Sequence, residues 1–186
     1  MEVIKTEIPD LVIIKSKVFE DARGYFTEAY NEQTFKDNGI NIKFCQDNRS
    51  KSSYGVIRGL HYQLNPASQS KLVSVIVGTV YDVAVDLRKG SPTFGKWVGV
   101  ELSDQNHLQF LIPQGFAHGF SVLSETAIFS YKCDNFYTPA LDRGILHTDP
   151  ALNIDWKVPA DKAVISDKDT KHPLLADAEI NFTYSK

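Results

Sequence analysis

The stretch KLVSVIVGTVYDVAVDLRKG, residues 71–90, carries the periodicity that decides the fold. Val73, Val75 and Val77 alternate with Ser74, Ile76 and Gly78. Past a turn at Gly78, Val83, Val85 and Leu87 alternate with Asp82, Ala84 and Asp86. A period of two belongs to strands, whose successive side chains leave on opposite faces. One set therefore meets a core and the other meets something else. Downstream, GKWVGVELS (95–103), HLQFLI (107–112), GFSVLS (119–124) and TAIFSYKC (126–133) repeat the texture between turn signals. Short strands at near-regular spacing predict a sandwich or barrel. Upstream, LVIIKSKVF (11–19) and RGYFTEAY (23–30) read as early strands. NEQTFKDNG (31–39) reads as one short helix, with Asn31 as N-cap and Gly39 as stop. The missing alternation with helices disfavours a parallel α/β sheet. From Ala140 onward, TDPALNIDW and ISDKDTKHP predict loops and short helical turns packed on the β-body.

At 186 residues and 42% hydrophobic content, the chain reads as a single domain over 1–186. A formal charge of −3, with Lys and Arg scattered, argues against a nucleic-acid surface. Local anion sites remain open, because they need only two or three placed cations. Cys45 and Cys133 are far apart and form no CxxC spacing, which fits reduced thiols in a cytoplasmic protein. The first 21 residues lack the apolar core of a signal peptide, and no run is long enough to span a bilayer. Without a secretory signal, the NRS and NFT triplets at Asn48 and Asn181 read as chance matches to the glycosylation pattern.

The chemistry-bearing stretch is GVIRGLHYQ, residues 55–63. Of the five histidines, His61 lies here and His118 lies in IPQGFAHGF, both in glycine-rich contexts that read as strand starts at a barrel mouth. Taken singly, each of the five, including His107, His147 and His172, reads better as a hydrogen-bonded core histidine, and it is His61 and His118 together that point to a site. Three functions are open. A metal site fits poorly, because no second His or Glu follows His61 at ligand spacing. Acid–base work fits better: imidazole titrates near neutrality and works best oriented by a carboxylate. Asp82, Asp86, Asp167 and Asp169 all qualify as that carboxylate. Tyr131 can serve as an acid and Lys71 as a cation for a developing oxyanion, against plain readings as a strand aromatic and a solvated lysine. Anion binding is the third function: Arg23 and Arg58 each precede a glycine, where the backbone can turn beside a guanidinium. Arg23 alone reads as a surface residue at a turn, whereas Arg58 lies in an apolar stretch. No GxGxxG, P-loop or GxSxG pattern is present.

Taken together, DARGYF (21–26), QDNRSKSSYGVIRGLHYQ (46–63), the 71–103 run, IPQGFAHGF (112–120), SYKCDNFYTP (130–139) and ISDKD (165–169) resemble the dTDP-4-dehydrorhamnose 3,5-epimerase family of the cupin superfamily. The resemblance runs in order from about Asp21 to Asp169. It implies an all-β, cupin-type double-stranded β-helix (jelly roll) with a few short peripheral helices. It implies a cofactor-free, metal-free enzyme and a homodimer. The implied substrate is dTDP-4-dehydro-6-deoxy-D-glucose, whose C3 and C5 flank a C4 ketone. Such C–H groups are acidic only if the enolate is stabilised.

By the family pattern His61 is the base, paired with Asp169. Lys71 stabilises the enolate and Tyr131 returns a proton from the opposite face. Arg58 and His118 hold the sugar and diphosphate. Arg23, Phe26 and Glu28, on an N-terminal segment reaching the partner subunit, resemble nucleotide contacts, as do Gln46 and Asn48. Tyr137 stacks near the thymine. One departure stands out: GILHTDP (144–150) puts Leu146 and His147 where the family often has a basic residue and Trp. Rival expectations are a 3- or 5-mono-epimerase of a related nucleotide sugar, a 3,4-ketoisomerase, a non-catalytic sugar-binding cupin and a metal-dependent cupin.

Overall fold

The two strands read around Gly78 form, but they do not form a hairpin with each other. The computed structural model describes residues 1–184, so the last two residues of the expected 1–186 domain lie outside the described residues. In chain order the strands are β1 (Glu2–Lys5), β2 (Val12–Lys15), β3 (Val18–Asp21), β4 (Gly24–Thr27), β5 (Gln46–Ser53), β6 (Ile57–Gln63), β7 (Lys71–Val77), β8 (Thr79–Asp86), β9 (Trp97–Ser103), β10 (Leu108–Ile112), β11 (Phe116–Val122), β12 (Thr126–Cys133) and β13 (Asp142–Gly144). One helix, α1 (Glu32–Asp37), precedes β5. Strands β1-β2-β10-β7-β12-β5 form one sheet and β13-β6-β11-β8-β9 a second, with antiparallel ladders throughout. The chain thus changes sheets between β7 and β8. Gly78 makes that corner with φ +84°, and a Cβ there would lie 2.1 Å from the Thr126 carbonyl oxygen, so only glycine fits. This is the expected cupin-type jelly roll.

Between the sheets, Val73, Val75, Phe110 and Phe129 meet Val80, Ala84, Val98, Val100 and Phe120. Val83, Val85 and Leu87 face the other way, into a second core. There they pack with Leu60 and Tyr62 of β6 against Ile145, Leu152, Trp156, Ile180 and Phe182 of the C-terminal tail. Both faces of β8 are therefore buried, one by the facing sheet and one by the tail. A third cluster seats Phe35 of α1 and Ile40 on Ile14, Leu72 and Leu111 at the outer face of the first sheet.

The helix is capped as the sequence implies: Asn31 Oδ1 accepts from the Gln33 and Thr34 N–H groups, and Gly39 follows with φ +82°. LVIIKSKVF divides into β2 and β3, and β3 pairs with β4 as a two-stranded hairpin outside both sheets. Strand β5, QDNRSKSS, carries no apolar residue on either face, so hydrophobic periodicity has nothing to register. Its eight-residue ladder with β12 forms it instead. The tail does consist of loops and 3₁₀ turns, with the short strand β13 added to the edge of β6.

Candidate active site

A bulge in the RGLH segment aims two side chains into one cavity. Opposite β11, Phe120 pairs with Arg58 and His118 pairs with His61. Three steps along β6 thus match two steps along β11. In a regular strand an odd separation would put Arg58 and His61 on opposite faces. The extra residue brings both onto one face. Gly59 occupies the bulge with φ +121°; a Cβ on it would lie 2.6 Å from Gly119 Cα, so the two strands touch backbone to backbone. Arg58, His61, His118 and Phe120 accordingly line a cavity of about 310 Å³, closed from the facing sheet by Asn48, Arg49, Ser50, Lys71, Phe129 and Tyr131. His61 and His118 sit inside their strands, not at the strand starts expected from the flanking glycines.

Of the four candidate carboxylates, Asp169 pairs with His61, its Oδ1 lying 2.7 Å from His61 Nε2. Asp169 Oδ2 accepts the Gly59 N–H at 3.2 Å. The Asp169 side chain is 5% exposed. Burial works against its charge, but the His61 hydrogen bond and charge, the Gly59 N–H and His172 outweigh it and hold the carboxyl down to about 2. Asp82 serves the other histidine: its Oδ2 lies 2.9 Å from His118 Nε2 in a fully buried pair. Burial pushes His118 below the usual imidazole range despite Asp82, and pushes Asp82 up. His118 stacks on Phe129, and Phe129 on Phe120. Asp86 belongs to a separate cluster with Arg88, Ser91 and Thr93. Asp167 is exposed.

Lys71 Nζ lies 5.8 Å from the Tyr131 ring centroid. Desolvation lowers the Lys71 ammonium, opposed by Cys133, Asp82 and Asp142. Burial raises the Tyr131 phenol, which therefore keeps its proton at neutral pH. Arg58 Nε donates to Ser52 Oγ at 3.1 Å. Asn48 faces Tyr131 across the β5–β12 ladder and accepts from Gln46 Nε2, while Gln46 Oε1 accepts the Tyr137 N–H. Tyr137 itself is exposed, its hydroxyl 3.3 Å from Asp142 Oδ2.

Arg23, Phe26 and Glu28 are not brought to this cavity. Arg23 pairs with Asp21 in the β3–β4 hairpin, Phe26 is 68% exposed, and Glu28 meets Asn31 and Thr34 at the start of α1.

The fold also gathers residues that local spacing does not. His172 joins His61 and Asp169, so that three possible metal-ligand atoms lie within 4.8 Å of one another. The 2.7 Å contact is shorter than the roughly 3.3 Å between ligands on a tetrahedral zinc ion, and it has the length of a charge-assisted hydrogen bond. The set reads as a hydrogen-bonded dyad with a flanking imidazole. His147 is buried, and its Nδ1 makes no hydrogen bond among the described residues. Its carbonyl accepts the Trp156 indole N–H. Arg49, Ser50, Phe120 and Phe129 also line the cavity, and nothing in their local sequence marks them.

A family model described as dTDP-4-dehydrorhamnose 3,5-epimerase matches residues 5–177. A dTDP-4-dehydrorhamnose 3,5-epimerase of Shigella flexneri is 55% identical over 180 residues, 96% of this chain and 98% of the relative. The crystal structure of one from Elizabethkingia anophelis superposes with a TM-score of 0.91 at 55% identity, covering 95% of this chain and 97% of the other. A dTDP-6-deoxy-D-glucose-3,5-epimerase from Legionella pneumophila, solved with dTDP-4-keto-L-rhamnose, superposes with a TM-score of 0.96 at 47% identity, covering 100% and 99%.

Proposed function

The chain belongs to the dTDP-4-dehydrorhamnose 3,5-epimerase family, and from that premise we infer how its residues carry the reaction. It is an isomerase that epimerises dTDP-4-dehydro-6-deoxy-D-glucose at C3 and C5, giving dTDP-4-dehydro-L-rhamnose. The observation that carries the residue assignment is the placement of His61 and Tyr131 on facing sheets around one cavity, with Lys71 beside Tyr131. Inversion needs this: a base that returned its own proton would restore the original centre.

His61 Nε2–H donates to ionised Asp169, which fixes the tautomer and leaves the Nδ1 lone pair for substrate. Nδ1 takes the proton next to the ketone, and the C–H electron pair moves onto the C4 oxygen. Asp169 stabilises the imidazolium. The Lys71 ammonium, poorly solvated, stabilises the enolate. As the C4 carbonyl re-forms, the Tyr131 hydroxyl gives its proton to carbon from the other side. Solvent then removes the proton from His61 and returns one to Tyr131. Arg58, His118, Gln46, Asn48 and Tyr137 hold the sugar, diphosphate and base.

The site is shared in a homodimer, with Arg23, Phe26 and Glu28 reaching the nucleotide of the second copy. Supporting this, the β3–β4 hairpin stands outside both sheets and exposes Phe19, Tyr25 and Phe26. Mixing Arg23→Ala and His61→Asn chains, each inactive, regains exchange if the site is shared. No regain rules out the shared site. Residues 1–186 act as one unit in the cytoplasm, a location consistent with two unpaired cysteines. Among the described residues no helix is long and apolar enough to cross a membrane.

The deciding experiment is proton NMR of the substrate with the protein in D₂O. Deuterium at both C3 and C5 is expected. Label at one carbon makes the protein a mono-epimerase, and label at neither refutes the reaction.

A further inference from the structure

Asp169 Oδ1 sits between two imidazoles. His61 Nε2 is 2.7 Å from it and His172 Nε2 is 3.5 Å from it. The two rings meet edge to face with centroids 5.6 Å apart. His172 Nε2 is buried yet makes no hydrogen bond among the described residues, a costly state for a polar atom that has no role. The fold holds a place for this ring. A Cβ on Gly144 of β13 would lie 2.3 Å from His172 Nε2 and 2.4 Å from its Cδ2, so any larger residue at 144 closes the slot. With Oδ2 engaged by the Gly59 N–H, the oxygen that His172 approaches is the one His61 uses.

We propose that His172 is a positioning residue for the His61–Asp169 dyad: its Nε2–H leans on Asp169 Oδ1, keeps that oxygen in line with His61, and takes up part of its negative charge. The inference rests on His61 being the base. The groups facing His172 are His61 from β6, Asp142 from β13, and Lys168 and Asp169 from its own segment. Lys168 is tied to Asp142, so it adds little free charge. Burial holds His172 below the ordinary imidazole range, so at neutral pH it offers a proton donor without a second positive charge. A neutral donor on a shared carboxylate oxygen weakens that oxygen's hold on the His61 proton, as an outer partner tunes an imidazole elsewhere.

His172→Phe keeps a planar aromatic ring, somewhat larger than imidazole, and removes the donor. Asp169 then holds the His61 proton harder. The acid limb of kcat/KM for exchange at C3 should move to higher pH by about half a unit, the share due to a 3.5 Å polar contact with a carboxylate that falls short of a hydrogen bond. KM should stay within about twofold while kcat falls. His172→Gln returns an amide N–H near the same place and should restore the limb. Gly144→Ala displaces the ring while leaving His172 in the chain, and should reproduce the His172→Phe profile. An unmoved acid limb in folded His172→Phe and Gly144→Ala proteins overturns the proposal; if His172→Phe does not fold, Gly144→Ala decides. Wild-type exchange in His61→Asn would instead overturn the assignment of the base, which separates the two failures.

Discussion

Replacing Asp169 with asparagine tests the dyad most sharply. The substitution keeps the shape but leaves one oxygen where there were two. Gly59 N–H needs an acceptor at the position now filled by Oδ2, 3.2 Å away. The asparagine carbonyl satisfies it, which turns the amide NH₂ toward His61 Nε2. That nitrogen must then accept, so the imidazole proton moves to Nδ1, the atom assigned to take the substrate proton. Loss of a hydrogen bond to a charged partner costs about 2 kcal/mol in the transition state, before the tautomer change adds to it. At 1.36 kcal/mol per decade, kcat for exchange should fall roughly 30-fold from that bond alone, and 100-fold or more in total. KM should change little.

Stability changes too. Asp169 is held from 3.8 down to about 2. A depressed carboxylate stabilises the fold above its unfolded pKa, and the gain is lost as pH falls through the folded one. The contribution is about 2 kcal/mol at neutral pH and vanishes below about pH 2. The assay is single-turnover deuterium exchange at C3 and C5 with thermal melts over the same pH range. An asparagine variant exchanging within threefold of wild type would refute the dyad.

Tyr131→Phe should reduce net inversion more than solvent exchange of the substrate proton, and equal losses would leave Tyr131 with positioning alone. Lys71→Gln should lower kcat about 10²- to 10³-fold, as loss of an oxyanion donor does. In the wild type, the ammonium is charged below its burial-lowered pKa and lost as pH rises through it, so the basic limb of kcat should fall below the ordinary lysine range; a limb at or above that range contradicts the role. Gly59→Ala forces a Cβ onto Gly119 at φ +121°, and should cost about 3 kcal/mol and roughly 10 °C in Tm; an unchanged melt would refute the account of the bulge. Activity should persist after exhaustive chelation, and a loss that added metal restores would sink the metal-free mechanism.

Alternation along residues 71–90 and 95–133 was enough to establish an all-β body, because period-two patterning belongs to strands in any fold. Asn31 and Gly39 bounded the helix, since capping is local chemistry. Motif resemblance pointed to His61, Lys71, Tyr131 and Asp169. Periodicity alone did not tell which face of β8 met which core: Val83, Val85 and Leu87 pack under the tail, not between the sheets. It missed β5, whose polar residues are ordered by pairing with β12. Nor did it choose among four aspartates, because the residues that meet are 108 apart for His61 and Asp169 and 36 apart for His118 and Asp82. In sequence His172 is indistinguishable from any core histidine, and only the fold sets it in the space that Gly144 leaves. Local sequence carries local geometry. Only the folded chain decides which oxygen a distant imidazole reaches, and how little water surrounds the pair when it does.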